Sequence, residues 1–364
     1  MLWLLFLYVI NLWFVSCDYS DVERKLESPE KPQIQLVFWD PIKGFLNLMK
    51  PQFVEYAYSK CENTQCVVSD RRKDTVKAHM VIFHAPTHNK NGPRFPSRKN
   101  PGQIYTIINM EQPGYTSLGI AQKMAHLRKH FDLTATYNAG SKYPGTSVVN
   151  MPLSYYPLNI LPVAEVLKPP ALSFAEKNGY DTDAIAVTFI SNCKAAGASE
   201  RTAYITELMK HMSIHNYGGC LKNREEPEFP NDPKWPNQRR SRKVKITTHY
   251  KFILAFENAA VPDYVSEKVF EALFAGVVPV YRGAPEIANY MPGNDSFINA
   301  NDLSPKQLAT KLKALASNEE DYNKYFQFKK KSLITRFTDM AAQSYCHPNV
   351  LCRLCDYALN HTIN

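Results

Sequence analysis

The sequence has little glycine, 14 of 364 residues, which excludes a collagen-like chain. No internal repeat is present. Beyond residue 17 no apolar run approaches the ~20 residues needed to cross a bilayer, so a multi-pass membrane protein is excluded as well. Apolar residues are nevertheless plentiful: 45% are hydrophobic and 12% aromatic, far more than a disordered chain carries. The length suffices for two domains of roughly 100–200 residues each. A net charge of +9 suits an anionic ligand such as a phosphate, although an excess of charge by itself names no partner.

The first 15 residues, MLWLLFLYVINLWFV, are apolar apart from Asn11, and polar sequence starts at Cys17 and Asp18. This is a signal peptide or a short signal anchor. Val15 and Cys17 suit the −3 and −1 positions of a cleavage site, whereas the large aromatics and near-spanning length suit retention. No basic segment precedes it to set orientation. Either reading delivers the chain to an oxidising lumen. Seven further cysteines, at 61, 66, 193, 220, 346, 352 and 355, fit disulfides in such a compartment. Cys61, Cys66, Cys352 and Cys355 can alternatively be read as zinc ligands; bridges between the first domain and the C-terminal tail are preferred. Asn294 and Asn360 open glycosylation sequons.

Residues 18–33 read as a polar stem. From there short apolar runs, 34–39, 79–85 and 103–111, alternate with helical patterns such as 117–130, which indicates βα units and a parallel sheet. A Pro-rich stretch, 151–172, reads as an interdomain linker. The second half continues with a strand at 183–192 and a helix at 202–213. Residues 222–245 read as a charged, solvated loop; its RRSRK run alone would suggest nucleic acid, which lumenal entry removes.

Residues 250–285, YKFILAFENAAVPDYVSEKVFEALFAGVVPVYRGAP, form one βαβ unit. KFILAF is the buried strand, Asp263 caps the next helix, Gly276 ends it and VVPVYRG is the following strand. A polar cluster lies between strand and helix: Glu257, Asn258, Asp263, Tyr264, Ser266, Glu267 and Lys268. In open parallel sheets ligands bind at the carboxyl ends of strands, and helix starts attract phosphate.

This segment resembles the signature of the α1,3-fucosyltransferases, glycosyltransferase family 10, in its FEN…DY[VI][ST]EK…VPV..G.P pattern. VTFISNC with Arg201, NYGGCLKNRE, NDSFINANDL and the closing CRLC are similar to other family segments. The wording of the signature and the CRLC look like plant- and invertebrate-type members, including core fucosyltransferases of N-glycans. The resemblance implies a GT-B architecture: α/β, with two Rossmann-like domains facing each other across a cleft. They would span 34–170 on the acceptor side and 171–345 on the donor side, with a Cys-rich tail at 346–364. It also implies GDP-β-L-fucose as donor and inverting α1,3 transfer to GlcNAc of a glycoprotein acceptor, on a core N-glycan or an antennal N-acetyllactosamine or LacdiNAc. The expected setting is the Golgi lumen, on a single-pass type II membrane anchor or secreted after cleavage.

Inverting transfer needs a base on the acceptor hydroxyl and positive charge on the departing diphosphate. Glu111, at the end of an apolar strand in an INMEQP setting similar to the family's NxExP, is the catalytic candidate. Gln112 there replaces the usual small residue. Arg201 and Lys268 are expected to bind the diphosphate, the former bidentately. Tyr264 and Glu267 are carried over as contacts to nucleotide and fucose, with Asn258, Ser191 and Asn192 as further donor-side residues. His84 and His88 are assigned no catalytic role. Asp181 and Asp183 read as a turn rather than a metal-binding DxD, so no metal or other cofactor is required; Mn²⁺ would at most stimulate. Cys193 with Cys220 would close a loop of roughly 27 residues, contributing about 3 kcal/mol. By the family's habit Cys61 and Cys66 pair with Cys352 and Cys355, with Cys346 left over. The rival readings are a silent, secreted glycan-binding relative and a GT-B transferase using another nucleotide sugar.

Overall fold

A computed structural model describes residues 31–40, 49, 51–87, 95–96, 100–112, 130–157, 162–180, 184–194, 197–231 and 238–362. The N-terminal apolar segment, most of the stem, the helix expected over 117–129, His88 and the pair Asp181 and Asp183 lie outside the described residues. Among those described, no helix is long and apolar enough to cross a membrane.

The first half contains β1 (Gln33–Phe38), α1 (Pro51–Lys60), β2 (Gln65–Ser69), β3 (Met80–His84), β4 (Ile104–Asn109), β5 (Leu133–Thr136) and β6 (Val149–Pro152). These strands form one parallel sheet in the order β2-β1-β3-β4-β5-β6. β3 and β4 are buried at every position, the pattern of a sheet covered on both faces. The second half contains β7 (Ala186–Thr188), α2 (Ala198–Met209), β8 (Ile214–Asn216), α3 (Gln238–Thr247), β9 (Phe252–Phe256), α4 (Glu267–Phe274), β10 (Val278–Arg282) and β11 (Ile298–Asn299). Its sheet is also parallel, in the order β11-β10-β9-β7-β8. Helices α5 (Pro305–Ala316), α6 (Glu319–Asn323), α7 (Thr335–Ala342) and α8 (Asn349–Thr362) complete the chain. A reciprocal Ser304–Gln307 capping box starts α5.

Several expectations shift. Helix α2 starts four residues before the expected 202, because Gly197 at φ +78° begins the turn, and it stops at Met209 to let β8 start at Ile214. The strand expected over 183–192 pairs only through Ala186–Thr188. Residues 151–172 do not behave as a loose linker: Met151 and Pro152 finish β6, and Tyr155 and Tyr156 are buried. Ser154 forms a parallel bridge with Ser344, and the Ser344 hydroxyl donates to the Tyr156 carbonyl at 2.5 Å. The outward and return crossings between the sheets thus run side by side.

The return crossing leads into α8, which packs on α1 and β1 and carries CRLC to the first sheet. Cys61 pairs with Cys352 and Cys66 with Cys355, while Cys193 pairs with Cys220; Cys346 is not disulfide-bonded. The largest apolar cluster runs from Leu36 through Tyr156 to Phe270, Phe337 and Leu354, joining both halves, and residues 32–364 make up one compact unit.

The two long-range bridges each restrain a segment of about 290 residues in the unfolded chain. The double substitution Cys352→Ser, Cys355→Ser is expected to cost about 2–5 kcal/mol of stability. Urea unfolding beside the wild type measures it, and non-reducing peptide mapping checks both pairings.

Candidate active site

The loop between β9 and α4 is organised by one carboxylate. The Glu257 side chain is fully buried, and its oxygens accept from the Ser266 amide at 2.7 Å, the Ser266 hydroxyl at 2.7 Å and Lys268 Nζ at 3.0 Å. Lys268 Nζ also donates to Ser266 Oγ at 2.6 Å. Ser266, in extended conformation, is the residue that precedes α4. Asp263 is therefore not the cap. It lies three residues upstream with φ +64°, and its carboxylate accepts from Tyr290 and from the Ala139 amide instead. Glu267 is the first residue of α4. Burial opposes its charge, but Lys268, Lys243 and Arg240 outweigh that and hold its pKa at about 2. For Lys268 burial likewise opposes charge, and Glu257 and Glu267 overcome it, raising its pKa. Both groups are ionised near neutral pH.

Arg201 lies in the first part of α2 and is 3% exposed. One terminal nitrogen donates to Asn258 Oδ1 at 2.6 Å and the Phe256 carbonyl at 3.3 Å; the other donates to the Asn192 carbonyl at 2.6 Å. The fork thereby gathers the ends of β7 and β9, and a diphosphate gripped by it would have to displace Asn258 or meet the buried Nε, which has no partner. The close approach needs Gly197, where a Cβ would sit 2.2 Å from the Asn258 carbonyl oxygen. Ser191 Oγ accepts from the Gly219 amide at 3.3 Å, and Cys193–Cys220 fastens the same two loops. Arg201, Ser191, Asn192, Asn258, Glu267 and Lys268 all line a cavity of about 180 Å³. That is below the about 300–1,000 Å³ of a complete small-molecule site, so it suits one part of a nucleotide sugar.

The segment expected to be a solvated loop supplies another wall. Residues 238–247 form α3, and Arg240 and Lys243 turn inward to the nearly buried Glu271 at 2.5 and 2.7 Å. Lys243 also lines the cavity, 5.6 Å from the Phe189 ring centre. Nothing local in the sequence marks this, because the acidic partner of both cations, Glu271, lies on a separate helix.

Across from this loop stands Glu111, just beyond β4. Asn109 brackets it, its amide donating to the Glu111 carbonyl at 3.0 Å and its oxygen accepting the Glu111 amide at 3.1 Å. The Tyr155 hydroxyl donates to the Met110 carbonyl. Burial raises the Glu111 carboxyl above its ordinary 4.5; Lys268 draws it back and Glu267 pushes it up. Lys268 and Glu267 are thus near enough to act on the Glu111 carboxyl, and Tyr155 and Tyr264 feel both Glu111 and Glu267. Between them Tyr264, 3% exposed, packs edge-on against Tyr137 at 5.2 Å and Tyr155 at 6.0 Å. His84 is buried, with Nδ1 2.8 Å from the Thr87 hydroxyl, a structural setting. Asn294 and Asn360 are exposed, the latter on α8. Among the described residues no group of three or more His, Cys, Asp or Glu is placed to hold a metal. Glu257→Ala would strand Lys268 and is expected to cost about 3–5 kcal/mol, the usual loss when a buried ion pair is broken, read by urea unfolding.

The glycosyltransferase family 10 (fucosyltransferase) C-terminal domain model matches residues 181–363, and the fucosyltransferase N-terminal domain model matches 30–144. Over 324 residues the chain is 34% identical to alpha-(1,3)-fucosyltransferase B of Drosophila melanogaster, covering 87% of this chain and 66% of that one. Over 306 residues it is 31% identical to GDP-fucose protein O-fucosyltransferase 3 of Danio rerio, 82% of this chain and 60% of the relative. The chain thus spans about two thirds or less of the length of these relatives. A solved alpha1,3-fucosyltransferase with GDP-fucose superimposes with a TM-score of 0.52 at 16% identity, covering 89% of this chain and 92% of the other. The same enzyme class with GDP gives a TM-score of 0.54 at 14% identity, covering 92% and 93%. These likenesses establish the shared GT-B fold. With both domain models matched in order along the sequence, the chain belongs to glycosyltransferase family 10, the fucosyltransferases.

Proposed function

We propose that the protein transfers L-fucose from GDP-β-L-fucose to an acceptor hydroxyl with inversion, forming an α1,3 linkage to GlcNAc of a glycoprotein glycan. The observation that carries this is the largely buried Glu111 carboxyl lying within the fields of Lys268 and Glu267 at the start of α4. Glu111 takes the proton from the acceptor hydroxyl as its oxygen attacks fucose C1. The C1–O bond to GDP breaks on the opposite face, and Lys268 with the N–H groups opening α4 stabilises the charge that grows on the diphosphate. Arg201 and Asn258 shape the phosphate end of the cavity, while Ser191 and Asn192 form its rim. No metal is needed in this scheme, since protein cations supply the positive charge; Mn²⁺ would at most stimulate. The setting is the Golgi lumen, consistent with the three disulfides.

The likeness to GDP-fucose protein O-fucosyltransferase 3, over 82% of the chain, supports a second reading in which the acceptor is a protein hydroxyl. The base chemistry is the same for either alcohol.

The test is a transfer assay with GDP-fucose and four acceptors: a core N-glycan, N-acetyllactosamine, LacdiNAc and a folded Ser/Thr-containing protein domain, with and without EDTA. Transfer to one glycan, unaffected by EDTA, is the expected result; transfer to the protein alone selects the second reading. Glu111→Gln is expected to lower kcat by about 10²–10⁴-fold. Because the base acts only when ionised and burial raises its pKa, the acid limb of kcat/KM should lie above pH 4.5 and vanish in that variant. An unchanged limb would remove Glu111 as the base.

A further inference from the structure

Asp263 has a conformation and a set of contacts that neither capping nor donor binding explains. Among the described residues it is one of two non-glycine residues with positive φ, at +64°, a region L-residues occupy only when their surroundings hold them there. Its contacts come from two parts of the fold. Oδ1 accepts from the Tyr290 hydroxyl at 2.7 Å, and the Asp263 amide donates to Glu286, both within the second half. Oδ2 accepts from the Ala139 amide at 3.1 Å, at the exit of β5 in the first half.

The arm that carries Ala139 is rigid. The buried Asn150 side chain accepts from Thr134 at 3.0 Å and Thr136 at 2.8 Å, and donates to the Asn138 and Gly140 carbonyls at 2.8 Å each. Every strong hydrogen-bonding position of that amide is used, which holds the carbonyls of the residues on either side of Ala139. Two residues before Ala139 and one after Asp263, Tyr137 packs edge-on against Tyr264 at 5.2 Å. The arm leaves β5, which is paired in register with β4, the strand that ends beside Glu111. On the other side Asp263 stands next to Tyr264 and four residues before Glu267. A short, hydrogen-bonded path therefore runs from the sheet that carries the base to the loop expected to hold the donor.

We infer that Asp263 is a positioning residue: it latches the donor loop to the Glu111-bearing sheet and so fixes the separation of the base from the sugar. The inference rests on the transfer reading above. The left-handed turn is what aims both carboxylate oxygens away from α4 and towards the two anchors. Tyr290 steadies the carboxylate and Ala139 receives it. Donor affinity is left to the other face of the loop, where Glu257, Ser266 and Lys268 meet.

The experiment compares the full chain with Asp263→Gly, Asp263→Asn and Tyr290→Phe, measuring GDP affinity by calorimetry, kcat for fucose transfer and amide exchange in the 137–141 segment. Asp263→Gly keeps the turn and loses both oxygens, so kcat should fall about tenfold or more while GDP affinity changes by less than about threefold, since small misplacements cost turnover rather than binding. Exchange at Ala139 should accelerate about tenfold as its hydrogen bond is lost. Asp263→Asn, which tolerates the turn and keeps one acceptor, should recover most of kcat. Tyr290→Phe should lower kcat in the same direction and add little on top of Asp263→Gly. Unchanged kcat or unchanged Ala139 exchange in Asp263→Gly would overturn the latch, as would equal losses of kcat and GDP affinity. Should the Gly variant not fold, Tyr290→Phe decides, with reduced kcat at unaltered GDP affinity expected; failure of both to fold makes the contact merely structural and overturns the inference. A wild type that transfers no fucose defeats the transfer reading, and the exchange measurement still decides whether the contact exists.

Discussion

The buried carboxylate of Glu257 is the constraint on which the donor side depends. A charge with no exposed surface must be fully hydrogen-bonded, and here its partners are the first amide, the hydroxyl and the ammonium of the helix start that follows. That need fixes where α4 begins, holds Lys268 at the cleft and leaves Glu267 with its carboxylate among three cations. The same logic recurs one turn later, where Glu271 draws Arg240 and Lys243 of α3 against α4. Two buried acids thus hold three cationic side chains, of which Lys268 and Lys243 line the small cavity together with Arg201, an arrangement suited to a diphosphate.

The other half meets this site because the chain crosses twice between the sheets, outward at 153–156 and back at 344–346. The crossings pair with each other, and the return ends in a helix that two disulfides fasten to α1 and β2. The largest apolar cluster is thereby shared by both halves, beside smaller clusters within each. The proposed base on one sheet and the proposed leaving-group site on the other can then be held at a defined separation, which is what a displacement at a single carbon requires.

Much of this was legible in the sequence, for identifiable reasons. β1, β3, β4 and the β9–α4–β10 unit show in uninterrupted apolar runs and in the polar cluster at a strand end, because a sheet covered on both faces tolerates little else. The donor-side residues and the cysteine partners came from the resemblance, whose fixed spacing spans the loop. Three features did not show. RRSRK looks like solvated charge because its acidic partner lies on another helix, at Glu271. Asp263 looks like a cap because aspartate before a helix usually is one, and a left-handed turn leaves no mark on composition. Residues 151–172 look like a linker because prolines recur through them, while Tyr155 and Tyr156, which are buried there, read as ordinary aromatics. In each case the deciding partner is distant in sequence.

The most direct test of the account is the stereochemistry of the product. NMR of the fucosylated acceptor formed from GDP-β-L-fucose should show a single α-fucoside, the outcome of one displacement with Glu111 as base. A β-linked product would require a covalent intermediate or attack from the other face, and would contradict the arrangement of Glu111 opposite Lys268.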